Sequence, residues 1–431
     1  MICRFPTTGE GGHGHHTSSA ILAQEAFAAA ADPNRFPEQL KFVQPWQAKR
    51  LLWNTFNFGG NDTTSPDQFK LDVGVYNNLL GKGYGEIAAD SRSNHKSQGF
   101  GTAKQRGSSY EYFKTILGDA PRTDLMDGIN TTWKRVAGGD EINIRINDLE
   151  KSFNAENPAK SLPLLMDIFA STQKLTDVYW KTQKLKELSL LIPACAGLWF
   201  ESYAASPTYA LGDSISIRNQ IIDRSGSPVK LVATEVTDQS KTFNTLLPAN
   251  QLLNLEGKTL AKKITQPYWI DGPQTREMYP VANQELVGYP ENPDAVTVDW
   301  KFVIYGRLIT LRRQLMYKYV SAVRGEVYQP LIITPPVTAN LDQQDYIFNS
   351  NQPKQIIVKL RSFTNSSGSI SLKAPAGWKI TPANASFTGK KSGDEWTATF
   401  AVTSALTKTQ TDTIQAITQV NGKTYTQGIQ Q

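Results

Sequence analysis

Three of the chain's four histidines, His13, His15 and His16, fall inside one stretch, GGHGHHTSSAILAQEAF from Gly11 to Phe27. Imidazole is a common metal ligand and the side chain best suited to moving protons near neutral pH. A catalytic zinc takes three nitrogen or oxygen side chains and keeps one position for water. His13 and His16 stand three residues apart where a loop enters a helix, so both can face one cavity. In such a pair one imidazole binds metal while the other hydrogen-bonds an oxyanion as it develops. The plainer alternative is an exposed Gly-rich loop that has collected histidines without a ligand. Two histidines are in any case an incomplete zinc set.

Other polar residues fit around this pair. Glu10, three positions before His13, is a carboxylate that can fix an imidazole; a loop acid without a role is the competing reading. His95 can orient a substrate or brace helix packing, with Arg92 and Lys96 beside it for polar sugar groups or for solvent. Asn57 and Asn61 follow a strand, where α/β folds place ligand contacts. Among the tryptophans of the later segments, Trp269, Trp300, Trp378 and Trp396 raise stacking on sugars, although strand alternation makes most of them core.

Positioning these groups requires elements. Ser18 to Ala31 is Ala-rich and closed by Asp32-Pro33, which predicts a helix with the histidines at its entrance. RLLWNTFNF, residues 50–58, reads as a buried strand followed by a loop, and residues 84–98 as a helix. Gly99 to Gly139 reads as surface loops with short helices. Residues 147–204 have helical spacing of Leu, Ile and aromatic side chains, a connector of two packed helices. From Pro207 the period changes to two: SISIRNQIID, VKLVATEV and VTVDWKFVIYG alternate between turns and predict an antiparallel sandwich. Pro335-Pro336 is a stiff junction, and QIIVKLRSF, GSISLKAPAGWKI and EWTATFAVT form a second sandwich.

Composition narrows the classes of function. With 45 Lys and Arg against 39 Asp and Glu, the net charge is +6, and no basic run resembles a nucleic-acid arm. Nucleic acid is therefore excluded as the expected partner. Two cysteines far apart, Cys3 and Cys195, give no disulfide framework or zinc knuckle. The longest apolar run, Leu188–Phe200, is broken by Pro193 and Gly197 and is too short to span a bilayer. No Gly-x-Ser-x-Gly elbow or phosphate-binding Gly-rich loop occurs. The N-terminus carries no signal peptide and reads as a strand running into a loop; both ends read as cut, which would leave an exposed sheet edge prone to pairing.

The stretch RFPTTGEGGHGHHTSSAILAQEAF resembles the second metal-site motif of the PIG-L/LmbE-like zinc deacetylases, Gly-His-x-x-His at a helix start. Gly12, His13 and His16 match it; Gly14 and His15 stand where Pro and Asp are common. SRSNHKSQGFG resembles the family's later His-x-Ser-Gln helix at His95, Ser97 and Gln98. LLIPACAGLWFE, QPYWI, GEVYQPLIITPP and APAGWKITP are similar to segments of large multidomain bacterial members.

The resemblance implies an incomplete Rossmann-like α/β domain over 1–140 and a helical connector over 141–206. It also implies two β-sandwich modules, 207–336 and 337–431. By the same resemblance His16 is a zinc ligand, and His13 stabilises the oxyanion or protonates the leaving group. From their positions alone, His95, Arg92 and Asn57 are the candidates to meet the substrate, and Glu10 the candidate to support an imidazole. The implied reaction is zinc-dependent hydrolysis of the N-acetyl group of an N-acetylglucosamine-type sugar or glycoconjugate, in the periplasm or outside the cell. The family's other motif, His-Pro-Asp-Asp-Glu, supplies two further zinc ligands and the general base, and this sequence lacks it. The expectation is half of a site, inactive alone. The competing expectation is a non-catalytic protein whose sandwiches bind glycan or protein on a structural α/β remnant.

Overall fold

The computed structural model describes residues 1–58, 60–237, 239–272, 278–405 and 409–428. Strands hold 37% of the residues against 22% in helices, so sheet architecture dominates. The chain divides into two compact units, Met1–Arg135 and Val136–Gln431.

In the first unit, strands β1 (Ile2–Cys3), β2 (Arg50–Thr55), β3 (Phe69–Asp72) and β4 (Tyr110–Gly118) form one sheet in the order β1-β2-β4-β3. β1 runs parallel to β2, whereas β2–β4 and β4–β3 are antiparallel. Leu51 and Leu52 are buried, which anchors β2 in the interior of the sheet. β4 is a correction to the expectation of loops across residues 99–139. Its sequence, YEYFKTILG, buries Phe113 alone, so it lacks the alternation that marks a strand. Helix α1 (Gly14–Ala29) begins at Gly14 rather than at the expected Ser18 and lies against β2. Helix α2 (Tyr84–Ser93) ends before His95, with a separate 3-10 turn at Lys96–Gln98.

A buried arginine ties the sheet to the following loop. Arg50 donates from Nη1 to the Leu125 carbonyl at 2.7 Å and from Nη2 to the Asp127 carbonyl. The Asp127 carboxylate in turn accepts the backbone N–H groups of Arg122 at 2.7 Å and Thr123 at 2.8 Å. Those N–H groups, Thr123 first, hold its carboxyl well below the usual range. A depressed folded-state pKa means that this stabilisation is complete above the ordinary aspartate range. It is lost as pH falls through the folded value. We therefore expect amide-exchange protection in 122–129 to fall in acid, and Asp127→Asn to produce that loss already at pH 7. Unchanged exchange in the variant would contradict the assignment.

The second unit opens with helices α3 (Gly139–Ser152), α4 (Leu162–Gln173) and α5 (Val178–Cys195), with α4 packed on both neighbours. Three helices thus replace the two expected. Leu165, Met166, Ile168 and Phe169 are buried, giving α4 the apolar stripe of a helix covered on more than one side. Gly197, at φ +60°, ends the helical run. The next residues, LWFESYA, are strand β5 (Leu198–Ala204), with strict alternation of buried and half-buried side chains. The sandwich therefore starts at Leu198 rather than at 207.

It continues through β6 (Thr208–Ala210), β7 (Ser214–Asp223), β8 (Val229–Val236), β9 (Gln239–Leu246), β10 (Leu253–Leu260), β11 (Thr297–Ile304), β12 (Arg307–Ser321), β13 (Gly325–Pro330) and β14 (Ile332–Thr334). The main sheet runs β9-β8-β11-β12-β5-β7-β10, with β13 on β12. Its 15-residue strand β12 pairs with β11 along its first half and with β13 and β5 further on, folding one path into two faces. Trp300, Phe302 and Phe200 fill the core between them. Trp269 is not among them. It sits on a 3-10 turn beside Tyr268, with the two ring centroids 5.1 Å apart.

A second sandwich faces two four-stranded antiparallel sheets together. One is β15 (Val337–Leu341), β16 (Lys354–Ser362), β20 (Glu395–Thr403) and β18 (Lys379–Thr381); the other is β19 (Ala385–Lys390), β17 (Ser366–Lys373), β21 (Gln415–Val420) and β22 (Lys423–Tyr425). Val337, Ile356, Val358, Phe400 and Val402 are wholly buried between them. Leu211 and Ile264 of the first sandwich pack on this core, and Pro335 and Pro336 are buried. The junction is packed as well as proline-rich. Among the described residues no helix is long and apolar enough to cross a membrane.

Candidate functional site

Strand β1 delivers the chain into the histidine loop. Gly12 adopts φ +75°, a left-handed turn that favours glycine, and His13 is the extended N-cap of α1. The His13 carbonyl accepts the first helical bonds, from the N–H groups of His16 at 3.1 Å and Thr17 at 3.3 Å. His16 consequently stands on the first helical turn, directly beyond its partner. The two imidazoles meet edge to face with centroids 5.2 Å apart.

His16 is half-buried and stacks on Phe5 at 3.8 Å, whose ring meets Phe56 at 6.5 Å. A side chain at Gly11 would press within 3.0 Å of Phe5 and 3.3 Å of the His16 Cβ, so glycine there lets the stack form. Beside Phe56, Arg4 donates to Asn54 and pairs with Glu111 at 3.2 Å. Phe5, Gly11 and Phe56 are contributors that sequence reasoning missed. The available signal was Arg4-Phe5-Pro6, an aromatic placed where a strand passes directly into the loop.

The remaining predicted residues lie elsewhere in the unit. Glu10 is exposed on a 3-10 turn, where the Thr8 hydroxyl and then its own backbone N–H lower its pKa. Among the described residues no hydrogen bond or ion pair joins it to His13 or His16. His95 is exposed; its Nε2 lies 2.8 Å from Gln98 Oε1 and its ring stacks on Phe100 at 5.5 Å. Arg92 covers the same Phe100 ring at 5.5 Å. Asn57 donates to Asp62 Oδ2 at 2.8 Å within the hairpin that also holds Asn61. The structure gathers His95 and Arg92 around Phe100, and sets His13 against His16, which stacks on Phe5. No hydrogen bond or ring contact joins these two groups, or Asn57, among the described residues.

A zinc ion needs more donors than this pair provides. Among the described residues no three His, Cys, Asp or Glu side chains converge on a common point. Cys3 and Cys195 are free and partly buried, and burial pushes both thiols up. The residues present do not on their own fit a zinc centre.

The fold defines a β-rich protein of two units, a small mixed-sheet unit and a unit of helices with two sandwiches. No protein-family model matches the chain, and comparison with curated proteins gives no match. Among solved structures, a red sea bream transglutaminase is similar over 58% of this chain and 35% of its own, with 12% identity and a TM-score of 0.27. An Escherichia coli alpha-2-macroglobulin aligns over 52% of this chain and 20% of its own, at 11% identity and TM-score 0.20. A DUF4785 family protein from Legionella pneumophila aligns over 53% and 55%, at 14% identity and TM-score 0.18. Likeness of this grade assigns neither a family nor an activity.

Proposed function

We propose that the first unit is part of a PIG-L/LmbE-like, Rossmann-like N-deacetylase domain and that this polypeptide contributes half of its zinc site. The observation that carries the reading is the meeting of His13 and His16, 5.2 Å apart, on the first turn of α1 after a parallel strand. Ligand contacts in α/β sheets gather at the carboxyl ends of strands and at helix N-termini. His16, held by Phe5, is the metal-binding imidazole. His13, exposed at the N-cap of α1, would hydrogen-bond the acyl oxygen or the departing amine. The substrate is an N-acetylglucosamine-type sugar or glycoconjugate, met in the periplasm or outside the cell. A segment bearing the His-Pro-Asp-Asp-Glu motif has to complete the site, so these 431 residues alone do not hydrolyse it.

The test compares the chain with a version carrying such a segment fused ahead of β1. Zinc content and release of acetate from N-acetylglucosamine oligomers are measured for both. We expect neither in the chain alone and both in the fusion. Stoichiometric zinc with turnover by the chain alone, or a folded fusion that gains nothing, would end the half-site reading.

A further inference from the structure

The second sandwich holds a cavity of about 970 Å³ between the segment 341–351 and the segment 409–414. Its volume is at the upper end of what small-molecule sites occupy, ~300–1,000 Å³. Three aromatic rings form its apolar side. Phe348 meets Trp378 edge to face at 4.7 Å, and Tyr346 packs beside them on the sandwich core. Tyr346 is fixed in place: its hydroxyl donates to Asp342 Oδ1 and accepts the Gln343 N–H at 3.2 Å. Burial, then the bond to that carboxylate, pushes its pKa up to about 12, so it stays a neutral donor.

Polar side chains share the lining. Asp345, Asn349, Gln410 and Asp412 are exposed on the two segments and line the same space. Gln410 donates from Nε2 to Asp412 Oδ2, which joins an amide to a carboxylate. At the aromatic side, the indole N–H of Trp378 is buried and has no acceptor among the described residues. An indole donor without a partner is costly in an interior.

These features suit one kind of ligand. A pyranose has a C–H face that lies on aromatic rings and a rim of hydroxyls that both donate and accept. Carboxylates and amides offer paired acceptors and donors to neighbouring hydroxyls. A metal ion is the poorer fit, because no three metal-binding side chains converge here among the described residues. The carboxylates Asp345 and Asp412 repel an acidic ligand; Lys354 lies over Phe348, 5.9 Å from its centroid.

We propose that this cavity is a saccharide-binding site for neutral or amine-bearing oligosaccharides, disfavouring uronic-acid polymers. The proposal goes beyond the half-site reading and stands without it. The full chain is titrated calorimetrically with hexamers of N-acetylglucosamine, glucosamine, glucose and galacturonic acid. At least one of the first three binds with a Kd below ~1 mM, and the uronate binds more weakly. The double variant Asp345→Ala/Gln410→Ala, at exposed positions, weakens binding at least tenfold with an unchanged melting temperature. Trp378→Phe keeps the ring and loses less affinity than Trp378→Ala; if the latter fails to fold, the loop variant decides. Absence of binding for all three, preference for the uronate, or undiminished affinity in the loop variant overturns the proposal. A failed deacetylase test leaves these outcomes untouched.

Discussion

His16→Ala, made in the fusion that supplies the missing motif, removes bound zinc and deacetylation together. His13→Ala retains near-stoichiometric zinc and loses about 10²–10³ in kcat, the usual cost of deleting one hydrogen-bond donor to a developing oxyanion. The split follows from position. His16 is half-buried and held face to face by Phe5 at 3.8 Å, as a metal ligand must be held to keep its ring direction. His13 is the exposed N-cap, and among the described residues its ring contact is with His16. Phe5→Ala acts through His16 and lowers zinc affinity, a loss that Phe5→Tyr restores. Zinc content by atomic absorption and acetate release read the two effects separately. Equal zinc loss in both histidine variants would show that the roles are assigned wrongly.

The histidine pair is legible in the sequence to the extent that its chemistry is local. Three-residue spacing at a helix entrance predicts neighbouring rings, and the rings are neighbours. Everything set by sheet order lies outside that reach. Phe5 and Phe56 are far apart in sequence but adjacent because β1 pairs with β2, which no spacing along the chain announces. The strands of the sandwiches are readable because one buried face imposes a period of two, as in SISIRNQIID. β4 is not, since its central place in the sheet comes from antiparallel pairing on both edges while most of its side chains stay half-exposed. β5 hides in the helical connector because Leu198 and Phe200 continue the apolar run of α5. The C-cap Ala196 and the left-handed Gly197 separate the two elements. Residues that depend on tertiary neighbours, such as those of the Trp378 cavity, show in the sequence only as aromatic positions in a strand-rich segment.

Trp300→Ala is the substitution with the largest expected effect on folding. The side chain is wholly buried, lies 5.2 Å from Phe200, and is parallel to Phe302 at 6.2 Å between centroids. Its indole N–H donates to Ser202 Oγ at 3.2 Å, and that hydroxyl donates to the buried Asn219 Oδ1 at 2.6 Å. The link runs from β11 across the interior to β5 and β7, so it fixes how the two faces of the sandwich meet. Truncation leaves a cavity that rigid aromatic neighbours and strands paired on both sides cannot close, costing about 3–5 kcal/mol. Trp300→Phe keeps most of the volume and deletes the donor. The buried Ser202 hydroxyl then loses one partner and keeps its bond to Asn219, for a loss of about 1–3 kcal/mol. Differential scanning calorimetry should resolve the second unit's transition moving down by roughly 6–20 °C for Trp300→Ala and by less for Trp300→Phe. The ordering matters more than either value. If Phe and Ala cost the same, the hydrogen-bonded indole, rather than the filled volume, holds the sandwich together.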